Sequence, residues 1–533
     1  MEIGHAIDTM HVEKNVFDST IGILLDIPGK SKDGLKVRRD LQTLGIRPEL
    51  HPQERANGNF FLPPASYNLT IDEKESICRC LHGIRVPTGF STNIKNIVSV
   101  ADLRMSGYNT HDCHVMLGLL LAIAVRGIKH SFLKMVITRM CHFFNVISKK
   151  VIDPEELNEL RKQMRETMCQ LEMCFPPSYF DIMEHYMIHI ADQIFVLGPT
   201  YLHNMYAYER FMVIFKGYVR NRAYPEGSMI EGYTTEEVIE CYVDYIRDGK
   251  SIGVPVSRHH GRLSGKGTKR RKIIRDNNYH TVRESYYSVM HQLAIMRPYV
   301  EQHLQELREK NEDRDEEWIM KEHKIHFTPW LRDLNLPIGE IDEEMMINKL
   351  SYGPLSMVQT WQAYDINGFT FYTKAKDQKS QRQNSGVRAD AEDSTGQKNA
   401  YYGYIEEIWE LNYGNSIEIP VFKCQWVRHP EGVEVDDYGF TIVDHNKVGY
   451  KDDPWILAQS VAQVFYILDP KDEKKYIVAP GKQRIIGVDG VEDEEEYNQF
   501  DEVPFFVDTE RINLVEAKLS FGSVIPYLMA MEN

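Results

Sequence analysis

Apolar positions through the first half of the chain follow a helical period. Ile182, Met183, Tyr186, Ile190 and Ile194 share one face at α-helical spacing, which predicts a helix over 180–197. A charge-rich helix is predicted over 153–173. Pro154, directly after Asp153, marks its start, because a proline in the first turn forfeits no internal hydrogen bond. Residues 115–125 form an apolar run of eleven positions that includes Gly118; it is too short to span a bilayer and reads as a buried helix. Residues 47–67, rich in Pro, Asn and Gly, read as a loop.

Past residue 258 the pattern changes. Residues 258–275 (RHHGRLSGKGTKRRKIIR) carry eight Lys or Arg, three Gly and no acid, and predict a flexible basic linker. Helical signals return over 277–348. Residues 374–398 are polar and poor in apolar side chains, and read as a second linker. The period then becomes strand-like. YYGYIEEIWEL, IPVFKCQWV, YGFTIVDHN, VAQVFYILD and KYIVAP are short aromatic and β-branched segments set apart by Asn, Gly and Pro. The predicted class is α+β, a mainly α-helical N-terminal region followed by a small β-rich C-terminal domain. Its parts are a helical region at 1–250, a basic linker at 251–276, a helical segment at 277–350, a β-rich domain at 360–480 and an acidic tail at 481–533. No internal repeat is visible.

Composition narrows the classes. The chain has 533 residues, 42% of them hydrophobic, enough for a large core and two to four domains. A net charge of -16 excludes a surface that coats DNA generally, yet leaves room for a local basic patch. Residues 1–11 lack the apolar run of a signal peptide. The eight cysteines show neither disulfide-framework spacing nor a CxxC pair, which predicts a reducing compartment and no self-contained zinc finger.

Two constellations carry candidate chemistry. His185 and His189, four apart, present two imidazoles on one helix face and can grip one metal ion, although a closed zinc site needs two more ligands. The same spacing suits two histidines simply packed on an amphipathic helix, the commoner case. Glu209 opens a helix with an apolar stripe at Phe211, Phe215 and Tyr218. Lys216 falls on nearly its face, and Arg210, Arg220 and Arg222 add positive charge. A carboxylate ringed by cations suits a divalent-ion ligand beside phosphate. An exposed glutamate with solvated basic neighbours satisfies the pattern equally. The run Lys269, Arg270, Arg271 and Lys272 is a candidate phosphate contact and nuclear-import signal, or a solvated loop.

Longer motifs add a family. HAIDTMHVEKNVFDSTIGILL, HDCHVMLGLLLAIAVRG, LEMCFPPSYFDIMEHYMIH and YERFMVIFKGYVRNRAYPEGSMIEGY occur in an order that resembles plant CACTA-type (En/Spm-like) DNA transposases. YDINGFTFYTK, YYGYIEEIWEL and VGYKDDPWILAQSVAQVFYILD resemble that family's second uncharacterised C-terminal domain. The resemblance covers almost the whole chain.

It implies an RNase H-like catalytic domain in which two aspartates and a glutamate hold Mg²⁺ or Mn²⁺, with Zn²⁺ bound nearby. The family is distantly similar to the vertebrate V(D)J recombinase, where a histidine pair precedes the catalytic glutamate. That order carries the glutamate role to Glu209 and zinc-ligand roles to His185 and His189. Asp8 and Glu13, within the MHxEKNV block, are read as structural. The two aspartates and the zinc-binding CxxC belong upstream of that block, which begins ten residues into this chain. The resemblance therefore implies a truncated remnant with one carboxylate of three, inactive and without cofactor when alone. Weak, non-specific contact with DNA, possible association with other transposase chains, no membrane and a nuclear location follow. The alternative is a non-catalytic chromatin- or DNA-associated protein derived from a transposase.

Overall fold

The computed structural model describes residues 6–90, 94–245, 266–268, 272–275, 280–334, 342–392, 398–414 and 417–483. The first part is helical: α1 (Thr9–Leu24), α2 (Leu35–Leu44), α3 (Ile71–Gly83), α4 (Ile94–Ile97), α5 (Thr110–Val115), α6 (Leu121–Ala124), α7 (Ser131–Ile147), α8 (Pro154–Cys174), α9 (Ile182–Leu197), α10 (Tyr206–Tyr218) and α11 (Pro225–Tyr245). Two strand pairs sit in its loops: β1 (Gln53–Glu54) with β2 (Phe60–Phe61), and β3 (Val98–Ser99) with β4 (Arg104–Met105).

Local chemistry sets the starts of these helices. Asp8 accepts the His11 N–H at the head of α1, and Asp153 accepts that of Glu155 at the head of α8, one residue before Pro154. Capping boxes at Thr70/Glu73, Asn109/Asp112 and Asp181/Glu184 open α3, α5 and α9, each satisfying backbone donors that the helix leaves orphaned. The apolar run over 115–125 is wholly buried. It lies where α5 passes through a π-helical turn, Met116–Leu120, into α6. No helix among the described residues is long and apolar enough to cross a membrane.

A second helical group follows: α12 (His280–Gln292), α13 (Arg297–Lys310), α14 (Glu316–Asp333) and α15 (Asp342–Tyr352). The strands are β5 (Lys266–Thr268), β6 (Lys272–Arg275), β7 (Met357–Trp361), β8 (Ala363–Ile366), β9 (Phe369–Tyr372), β10 (Gly386–Glu392), β11 (Lys398–Asn412), β12 (Glu418–Val427), β13 (Val433–Val435), β14 (Thr441–Val443), β15 (Val448–Gly449), β16 (Trp455–Leu457), β17 (Ala462–Asp469) and β18 (Asp472–Pro480). The main sheet is antiparallel and curled, ordered β13-β14-β18-β17-β10-β11-β12-β15. β16 adds to β12, and β7 carries β6 onto β11. A smaller sheet runs β5-β8-β9. The α+β class holds.

Both stretches expected as linkers carry sheet. In the basic one, Lys266–Thr268 pairs with Ala363–Asp365, and Lys272–Arg275 pairs with Met357–Thr360. In the polar one, β10 lies between β11 and β17. Polarity misled here because the turn before β10 is built from buried polar groups. The Asp377 carboxylate accepts the backbone N–H of Asn384 (2.9 Å) and of Ser385 (2.7 Å). The Asn384 side chain, fully buried, accepts the Thr88 backbone N–H through Oδ1 and donates through Nδ2 to the Thr88 hydroxyl, across 296 residues. The tail over 484–533 lies outside the described residues.

The sheet and the N-terminal helices share a core. Tyr438, Phe440, Ile442, Phe465, Ile467, Ile477 and Ala479 pack in the same buried cluster as the side chains of α1, α3 and α5–α9. On the other side Trp409, Leu411, Val421, Trp455 and Leu457 meet α12, α14 and α15. The sheet thus sits between two helical groups.

Candidate functional site

Glu209 stands in the first turn of α10, where a negative charge complements the helix N-terminus. Its side chain is exposed. Three residues earlier Tyr206 is buried, and its ring meets that of His114 edge-on at 6.5 Å between centroids. His114 Nδ1 lies 3.0 Å from Glu13 Oε1 and 3.1 Å from Oε2, so a buried imidazole–carboxylate pair locks α5 against α1. Burial, then the charges of Glu13, Glu209 and Asp8 with a contribution from the Cys113 thiol, hold the Tyr206 hydroxyl far above its usual pKa. Glu209 therefore lies within electrostatic reach of the corner that Asp8 and Glu13 occupy. Burial, with smaller contributions from His114 and Lys482, pulls neighbouring His111 down to about 3.

Asp8 and Glu13 have local roles here, Asp8 as the cap of α1 and Glu13 as the partner of His114. Lys216 stands exposed on α10, and Arg220 and Arg222 stand exposed in the turn that follows. The side chain of Arg210, the residues Lys269, Arg270 and Arg271, and the side chain of Lys272 lie outside the described residues; the Lys272 backbone pairs with Thr360.

His185 and His189 do share a face of α9, with Nε2 atoms 3.1 Å apart. Two nitrogens on a tetrahedral zinc at about 2.05 Å would stand about 3.3 Å apart, so the pair fits two of four zinc positions. Among the described residues no group of three or more His, Cys, Asp or Glu is arranged to hold a metal ion. Glu209 by itself does not fit Mg²⁺ or Mn²⁺, which the resemblance implies, because two-metal chemistry draws on several carboxylates.

One cluster escaped the sequence reading. His323, fully buried on α14, bridges His291 of α12 (Nε2 to Nε2, 2.9 Å) and His303 of α13 (Nδ1 to Nδ1, 2.7 Å). The Tyr287 carbonyl, 3.0 Å from His291 Nδ1, can accept only, and this fixes every tautomer. His291 donates through Nδ1 and accepts at Nε2. His323 then donates through Nε2 and accepts at Nδ1 from His303. Sequence spacings of 12 and 20 residues on three helices carry no motif that would have found it.

Comparison with known proteins places two matches on this frame. Residues 147–259, which include α8–α11, match a domain of unknown function, DUF4218. Residues 409–479, from within β11 to within β18, match a second, DUF4216. Both are common in plant transposase-derived proteins, which fits a transposase-like chain. No curated protein and no solved structure matches it.

Proposed function

We infer that this chain is part of a CACTA-type transposase that acts on DNA in the nucleus, with Glu209 as a catalytic carboxylate and the cations at and beyond the far end of its helix as phosphate contacts. The placement of Glu209 carries the reading. It opens α10 three residues after Tyr206, whose hydroxyl feels the charges of Glu209, Glu13 and Asp8, while Lys216, Arg220 and Arg222 stand exposed at the far end of the same helix and just beyond it. Exposed cations at that distance suit backbone phosphates, which give affinity without sequence information. Phosphodiester transfer also needs the two aspartates of the family, so cleavage requires a domain that supplies them.

The test uses the purified chain on DNA carrying CACTA ends with Mg²⁺ or Mn²⁺. The chain alone is expected not to cut. Adding the aspartate-bearing domain in trans is expected to give cleavage that Glu209→Gln abolishes. Cleavage by this chain alone, insensitive to Glu209→Gln, would show that the site lies elsewhere.

A further inference from the structure

Apolar side chains stand uncovered where α9 gives way to α10. α9 ends at Gly198, which takes a positive φ of 83°, and Leu202 folds back there, 3.7 Å from where a Cβ on that glycine would stand. On α10, Tyr208, Phe211 and Met212 follow at i, i+3 and i+4 and so share one face. Together with Phe195 and Val196 from the last turn of α9 and with Leu202, they are 43–72% exposed. Among the described side chains of α10 and α11 only Tyr206 is buried. Soluble chains rarely leave a contiguous apolar patch of more than a few hundred Å² bare, so such a surface marks a contact.

The described part of the chain stops beside this surface. Lys482, 5% exposed, is close enough to His111 for its charge to be felt there. The His111 and His114 rings stand 6.2 Å apart, and the His114 ring meets Tyr206 in the first turn of α10. Residues 484–533 therefore start near the head of α10. Within them, residues 519–531 (LSFGSVIPYLMAM) carry no charge and are mostly apolar.

Charge selects that segment. Exposed Glu209 stands on α10 between Tyr208 and Phe211, and exposed Glu226, Glu231, Glu236 and Glu237 line α11. These carboxylates repel residues 489–502, with eight acids and no base, and the short apolar run 503–507, which Asp501, Glu502, Asp508 and Glu510 flank. The run 519–531 instead follows Lys518 directly, a cation for Glu209. We propose that residues 518–531 of the same chain cover this surface, the apolar run against Tyr208, Phe211, Met212 and the end of α9, with Lys518 paired to Glu209. The connection to residue 483, about 35 residues, spans roughly 30 Å, longer than α10 at about 20 Å. Tethering sets an effective concentration on the order of 1 mM, so a contact with a Kd as weak as about 100 µM stays mostly closed. The proposal stands without the transposase reading. Where that reading holds, the aspartate-bearing domain displaces the segment to reach Glu209.

The test contains no DNA. p-Benzoylphenylalanine replaces Phe521 or Tyr527 in the full chain and is photoactivated, with far-ultraviolet circular dichroism as the folding control. Cross-links are expected within one chain, to residues 195–214, at a yield independent of protein concentration. Lys518→Glu should lower that yield several-fold, and Glu209→Lys added to it should restore it. Cross-links to another face overturn the proposal, as do links between chains whose yield rises with concentration, the sign of a second copy on this surface. So does a yield indifferent to Lys518→Glu. Should the double variant lose helix content, hydrogen exchange decides. Removing residues 518–533 should speed amide exchange across Tyr208, Phe211 and Met212 several-fold, and unchanged exchange overturns the proposal.

Discussion

Arg126 and Asp469 lie 343 residues apart in sequence and meet in a two-pronged buried ion pair. Arg126 Nη2 donates to Asp469 Oδ2 at 2.9 Å and Nε to Oδ1 at 3.2 Å, while Nη1 donates to Asp436. Arg126 follows α6 and both aspartates belong to the sheet region, so one guanidinium ties helices to sheet. Burial pulls the Arg126 pKa down, but hydrogen bonding and charge from the two aspartates outweigh it, and the pKa is raised. Removing one partner of a buried pair typically costs about 3–5 kcal/mol, because charges are left buried and unpaired. Arg126→Ala is expected to lose stability on that scale and to split a single urea transition into two. An unchanged single transition would show that helices and sheet are coupled by apolar packing alone.

The histidine chain sets a pH dependence. Burial, then the charges of His291 and His303, pulls His323 down to about 3. Burial likewise lowers His291, against the Tyr287 carbonyl and Asp453 and with Lys324, and lowers His303, against Glu306 and with His326 and Lys310. A histidine depressed in the folded state binds fewer protons folded than unfolded. Its stability is therefore full above its unfolded pKa of about 6.5 and declines as pH falls toward about 3, by up to about 1.4 kcal/mol per pH unit. His323→Leu should cost about 1–3 kcal/mol at pH 7.5, by stranding two buried ring nitrogens. Its gap from wild type should narrow at pH 5. Urea midpoints at the two pH values check this, and a constant gap would contradict it.

Gly386 tests whether the polar stretch is truly sheet. A Cβ there would lie 2.3 Å from the Val464 carbonyl oxygen and 2.9 Å from the Tyr466 ring. Backbone cannot yield as a flexible side chain does. Gly386→Ala should therefore destabilise by roughly 1–3 kcal/mol, read as a drop in thermal midpoint. A neutral effect would mean β10 does not sit against β17.

DNA contact should be governed by salt. If Arg220 and Arg222 neutralise two phosphates, replacing both with Ala should reduce the slope of log affinity against log salt by about 1.8 on duplex DNA. The weakening should be the same for unrelated sequences, since phosphate contacts carry no sequence information. Sequence-dependent weakening, or an unchanged slope, would remove these residues from the interface. Alanine at Lys269, Arg270, Arg271 and Lys272 should lower both binding and nuclear accumulation, followed by fluorescence imaging.

Much of the fold was legible because its signals are local. The 3.6-residue spacing of Ile182, Tyr186, Ile190 and Ile194 did correspond to α9, and Asp153 with Pro154 did mark the start of α8. The i, i+4 relation of His185 and His189 needs only helix geometry, and the two rings face each other as that geometry requires. The corner beside Glu209 was not legible. Glu13 reaches His114 across 101 positions, a separation at which one sequence carries no information about contact.

The sequence by itself determined where the capped helices begin and where the β-branched strands after residue 400 fall, since caps, periodicity and β-branched runs act through neighbours a few residues away; it did not determine which faces turn inward, and Ile182 and Phe211 of the predicted apolar stripes stand exposed. Tertiary structure alone decided that the polar residues around Asp377 and Asn384 would enter a core, because burial becomes tolerable once Thr88 and nearby backbone N–H groups satisfy them. It also decided that three histidines from three helices would share protons and that Arg126 would join helix to sheet. Each needs partners that only the folded chain brings within 3.2 Å, and a polar group keeps its place in the interior only where such partners exist.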